Sequence, residues 1–129
     1  DVTFCLMTDI GHMTDEMLAH VSQANYLVIE ANHDKEMLRT GPYPQYLKER
    51  IAGPKGHLSN VECATALAEH ATALLKHVWL CHLSEDNNHP ELARKTVEQV
   101  LRSYGIVSGV DFQLDVLKRK SPSEIFELT

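Results

Sequence analysis

The 129 residues are enough for one domain with a buried core, and 43% hydrophobic against 23% charged residues excludes a disordered or fibrous chain. No apolar run approaches the roughly 20 residues that cross a bilayer, and the opening Asp1-Val2-Thr3-Phe4-Cys5-Leu6 lacks the basic lead-in of a signal peptide. The net charge of −6 argues against broad nonspecific binding to nucleic acid, and three widely spaced cysteines (Cys5, Cys63, Cys81) argue for reduced thiols and a cytoplasmic protein.

Val2–Thr8, short, apolar and partly β-branched, predicts a strand. Thr14-Asp15-Glu16 has the hydroxyl and early carboxylates of a helix start, with Met17, Leu18 and Val21 as its buried face. Tyr26–Ala31 predicts a second strand. A short helix over Asp34–Thr40 should stop at Gly41, and another should run from Pro44 to about Ala52, ended by Gly53-Pro54. Ser59-Asn60-Val61-Glu62 matches a capping box. The helix it opens would bury Ala64, Leu67, Ala68, Ala71, Leu74 and Leu75. Val78–Leu83 predicts a third strand. Pro90 begins a helix with Leu92, Ala93, Thr96, Val97, Val100, Leu101 and Tyr104 inward, closed by Gly105. Val110–Leu117 alternates as a last strand, and the Pro122–Thr129 tail would add an edge strand. Strands alternating with helices predict an α/β fold.

Polar groups stand where strands give way to loops. Asp9 follows the first strand, Glu30 ends the second, His82 ends the third, and His57 immediately precedes the capped helix. Loops beyond the carboxyl ends of such strands form the binding crevice, so these four can converge on a metal or acid–base site. Taken singly, each has a plainer role: Asp9 as a loop cap, His82 as a hydrogen-bonded core group, Glu30 as an ion-pair partner, His57 as a loop residue near a helix N-terminus. Of eight histidines, His20, His70 and His77 fall on or beside helices and read as surface residues, while His12 and His33 lie near the site. Cys81 should point away from His82 into the core. Between Asn32 and Leu58, five bases face three acids, a local +2 that leaves −8 on the rest of the chain. That stretch, with Arg39, Lys48, Arg50 and Tyr43, can contact an extended anionic substrate or be an ordinary solvated surface.

Five segments together resemble a known family: Thr8-Asp9-Ile10-Gly11, Glu30-Ala31-Asn32-His33-Asp34, Met37-Leu38-Arg39-Thr40-Gly41-Pro42-Tyr43-Pro44, Gly56-His57-Leu58-Ser59-Asn60 and Cys81-His82-Leu83-Ser84-Glu85-Asp86-Asn87-Asn88. Their order and spacing are similar to the C-terminal half of a metallo-β-lactamase-fold hydrolase, nearest the bacterial YycJ (WalJ-like) exonucleases and more distantly ribonuclease Z. The resemblance implies that residues 1–129 form the C-terminal half of one αββα sandwich, with the N-terminal half outside this chain. It implies a DNA exonuclease-like phosphodiesterase working through two divalent ions, zinc or manganese. Asp9 would bridge the ions and His82 bind one of them, further ligands lying outside this chain. His57 would protonate the leaving group, oriented by Glu30. The family's His-x-His-x-Asp-His motif and the following histidine ligand have no counterpart here. The chain alone is expected to be inactive and to associate with the N-terminal half or a second copy. A β-lactamase- or glyoxalase-type hydrolase is the alternative on the same fold. A non-catalytic binding or assembly domain is the alternative of another kind.

Overall fold

In a computed structural model, residues 2–117 are described. Four strands, β1 (Phe4–Met7), β2 (Tyr26–Glu30), β3 (His77–Cys81) and β4 (Gln113–Val116), form one parallel sheet in sequence order. Five helices connect them: α1 (Asp15–Gln23), α2 (Lys35–Thr40), α3 (Gln45–Ala52), α4 (Asn60–His70) and α5 (Pro90–Ser103). The expected α/β arrangement is therefore present. Among the described residues no helix is long and apolar enough to cross a membrane.

One face of the sheet carries the core. Alternate strand residues Met7, Leu27, Ile29, Val78, Leu80 and Leu114 pack with Val21 of α1, Ala64 and Leu67 of α4, and Ala93, Val97 and Leu101 of α5. The period of two in the strands thus meets the 3.6 period of the three helices. On β1 the residues between those core positions, Phe4 and Leu6, remain 51% and 65% exposed. The sheet therefore presents apolar groups on its other face along an outermost strand.

Local chemistry sets the element ends. The Thr14 hydroxyl accepts from Met17 N at the start of α1. At α4 the capping box is complete: Ser59 Oγ accepts from Glu62 N, and Glu62 Oε1 accepts from Ser59 N. His89 caps α5 with Pro90 in its first turn, and Gly105 adopts φ 81° beyond its end.

Several ends differ from expectation. Helix α4 stops at His70, because the Thr72 hydroxyl donates to Ser22 O in the last turn of α1 and accepts from Leu74 N, which turns the chain early. Leu74 is consequently exposed while Leu75 alone enters the core. Strand β4 begins only at Gln113, since Asp111 closes a turn by accepting from Val107 N, and Val110 is left outside it. His77 is no surface bystander: it stacks on Trp79 with ring centroids 3.9 Å apart and bonds Asp115 at 2.6 Å. Tyr104 is half exposed at the α5 end. The proposed tail strand lies outside the described residues.

Candidate metal centre

Parallel strands place all their carboxyl ends along one edge, and the register aligns Met7 with Ile29, Ile29 with Leu80, and Glu30 with Cys81. Asp9, Glu30 and His82 therefore emerge side by side. The loop before α4 brings His57 to the same place, because two loops press backbone against backbone there. A Cβ on Gly11 would collide with the Pro54 carbonyl, and one on Gly56 with the Ile51 carbonyl.

Glu30 organises the group. Its side chain is fully buried, and each carboxylate oxygen accepts two N–H donors. Oε1 takes the Asp9 backbone N–H at 2.7 Å and His82 Nδ1 at 2.6 Å. Oε2 takes His57 Nδ1 at 3.0 Å and the Leu58 backbone N–H at 3.1 Å. Four donors match the lone-pair capacity of a carboxylate, which is what lets a buried charge persist. They also fix tautomers: accepting from both imidazoles, Glu30 selects the Nδ1–H form, which leaves Nε2 as the ring nitrogen it does not engage.

One ligand atom from each of Asp9, Glu30, His57 and His82 lies within 4.8 Å of the others, so this cluster can hold a divalent metal. The hydrogen bonds divide it further. Glu30 is saturated by four N–H groups and acts as the holder. The Asp9 carboxylate, whose Oδ1 lies 3.7 Å from His82 Nδ1, and the ring nitrogens not bonded to Glu30 remain open. The mixture of one exposed carboxylate with imidazole nitrogen is a donor set that divalent metals accept.

Asp9 and His82 also share a strained backbone, with φ 54° and 56°, and no other described non-glycine residue has positive φ. For histidine that left-handed conformation costs about 1–2 kcal/mol. Such strain persists only where the surroundings over-determine it, and it concentrates at functional sites.

The remaining expected site residues divide. Tyr43 lines a cleft of about 290 Å³ together with His57, His82 and Ser84, and its hydroxyl donates to Asp86 at 2.6 Å. That hydrogen bond raises the phenol above its usual range. Arg39 and Lys48 line a separate cavity of about 300 Å³ with His33 and Lys35. Arg39 pairs with Glu36, and Lys48 Nζ donates to the Arg39 carbonyl at 2.7 Å. Arg50 lies exposed on α3. Cys81 stays out of the cluster, its thiol pushed up to about 12 by burial and then by the Glu30 charge. Buried His33 has a lowered pKa, burial being the main cause.

The sequence reading passed over the asparagines. Asn60 and Asn88 exchange reciprocal side-chain amide bonds at 2.9 Å, and Asn88 Nδ2 also reaches Ala31 O and Asn32 O. Asn32 Nδ2 donates to His82 O. The visible signal was four asparagines, Asn32 just past β2, Asn60 at the start of α4, and Asn87 and Asn88 in the loop before α5, where polar side chains serve loop backbone.

Comparison with known proteins agrees with the resemblance read from the sequence. The chain is 44% identical over 120 residues to exodeoxyribonuclease YycJ of Bacillus anthracis, covering 93% of this chain and 46% of that protein. It is 42% identical over 114 residues to exodeoxyribonuclease WalJ of Streptococcus pneumoniae strain D39, covering 88% of this chain and 42% of that protein. Similarity to the YycJ/WalJ exonucleases thus extends over about nine-tenths of the chain. The chain spans slightly less than half the length of these relatives. No family profile and no solved structure matches.

Proposed function

We propose that this chain is the C-terminal half of a metallo-β-lactamase-fold DNA exonuclease, contributing metal ligands and a proton donor to a two-ion phosphodiesterase site. The observation that carries the reading is the Glu30 carboxylate, which holds Asp9, His57 and His82 simultaneously. Asp9 and His82 Nε2 are the ligands this chain offers, and the other half supplies the rest. Two divalent cations, zinc or manganese, would contribute Lewis acidity toward the phosphodiester and make a water more acidic. With Glu30 accepting at Nδ1 and fixing the ring, His57 in its doubly protonated form would deliver the Nε2 proton to the departing oxygen. The other half also covers the sheet face on which Phe4 and Leu6 are exposed.

The expected result separates these roles. In the full-length protein His57→Ala should retain metal while DNA hydrolysis falls by about 10²–10⁴-fold. The loss should shrink on a nitrophenyl phosphodiester, whose leaving group needs no proton. Equal losses on both substrates would remove the general-acid role, and absence of phosphodiester hydrolysis by the wild-type protein with either metal would remove the whole reading.

Substrate contact is a separate part of the proposal. Tyr43 at the cleft offers a stacking surface for a base, and Arg39 and Lys48 at the second cavity, with Arg50 exposed on α3, offer charge to the strand beyond. Charge reversal at those three bases should weaken polynucleotide binding and lower its salt dependence, because fewer counterions are released. Hydrolysis of a small phosphodiester should stay nearly unchanged. Filter binding across a salt series, beside a colorimetric assay, reads both, and equal damage to both substrates would show that the stretch only supports the fold.

A further inference from the structure

We infer that Asn32 is the positioning residue that holds His82 in its left-handed conformation and so aims its imidazole. The side chain of His82 is held by Glu30, but a single hydrogen bond to a ring does not set the backbone beneath it. Asn32 does so from both sides. Its Nδ2 donates to His82 O at 2.9 Å, and its own carbonyl accepts Ser84 N at 2.7 Å, which brackets the strained residue within one short turn.

Asn32 is itself fixed. Its backbone N–H donates to Leu58 O at 2.9 Å, next to His57, and its Oδ1 meets His33 Nδ1 at 3.2 Å. The amide cannot be reversed, because Oδ1 would then face the His82 carbonyl oxygen. Oδ1 is therefore the acceptor and His33 Nδ1 the donor, on a ring whose pKa burial lowers. One residue must donate on one side and accept on the other at this length, with only 8% of its surface exposed. Asparagine meets that demand: aspartate lacks the donor, and glutamine is one methylene too long.

Asn88 provides the comparison that separates aiming from general support. It is equally buried, at 6% exposure, and bonds Asn60 and the Ala31 and Asn32 carbonyls without touching His82. Asn32→Ala and Asn88→Ala each leave buried polar groups without partners, so both should destabilise the fold. Only the former should release His82.

The test uses the full-length protein labelled with ¹⁵N-histidine. In its metal-free form the His82 Nδ1–H, bonded to Glu30 at 2.6 Å, should give a downfield, exchange-protected proton signal, assigned by its absence in His82→Gln. Asn32→Ala should lose that signal, and Asn88→Ala should keep it. Asn32→Ser, a smaller perturbation whose hydroxyl is too short to reach both partners, should behave as Asn32→Ala and serves if that variant fails to fold. Manganese titration should then show affinity about 10–100-fold weaker in the Asn32 variants and unchanged in Asn88→Ala. That last arm rests on His82 being a ligand. If wild-type protein bound no manganese while the signal still depended on Asn32, the positioning would stand and the metal reading would fall. Retention of the signal in the Asn32 variants, or its equal loss in Asn88→Ala, would overturn the inference.

Discussion

Glu30→Ala is expected to be the most damaging single substitution, lowering unfolding free energy by about 3–5 kcal/mol and abolishing activity. The magnitude follows from what the carboxylate does. Removing it strands the N–H groups of Asp9 and Leu58 and the Nδ1–H groups of His57 and His82 around a cavity. A small domain has only about 5–15 kcal/mol of stability in total, so a large fraction is at stake. Glu30→Gln keeps the shape but turns an amide NH2 toward two existing donors, so it should fall between Ala and wild type. Urea unfolding of the metal-free protein measures this without reference to catalysis. A loss below about 1 kcal/mol for Glu30→Ala would mean that water replaces the carboxylate and that the four bonds do not organise the site.

Asp9→Ala and His82→Ala form the second large effect, and they should part stability from function. Each removes a proposed ligand, so metal affinity should fall by more than the roughly 10–100-fold typical of groups that only support a ligand. Position 82 adds a sharper expectation. Its φ of 56° suits glycine, so His82→Gly should be about 1 kcal/mol more stable than His82→Ala although both are equally inert. Calorimetric manganese titration and denaturant unfolding of the three variants check this. Equal stability of the glycine and alanine variants would show that the backbone relaxes freely and that residue 82 stores no strain.

The parts legible in the sequence were those with a local cause. Thr14, the Ser59–Glu62 box, Pro90 and Gly105 mark helix ends through side-chain or backbone chemistry within a few residues, and they appear where expected. Asp9, Glu30, His57 and His82 were legible as a group because parallel strands deliver their carboxyl ends to one edge. The early end of α4 was not, because it depends on Thr72 reaching Ser22, 50 residues away in sequence. His77 was misplaced for the same kind of reason: its partners Trp79 and Asp115 lie on the strand itself and on the next one. The share of Glu30 in holding His82 and Asp9, beyond orienting His57, needed the fold, as did the asparagine clasp. Long-range hydrogen bonds leave no periodicity in the chain, only a polar residue in a loop.

In the proposed site Asp9 and His82 bind metal while Glu30 holds them and binds none. Anomalous diffraction from crystals of the full-length protein grown with manganese tests it most directly. The expected result is a peak within about 2.0–2.3 Å of Asp9 Oδ and His82 Nε2, with the Glu30 carboxylate still engaged by its four N–H donors. A peak coordinated by Glu30, or one away from His82, would contradict it.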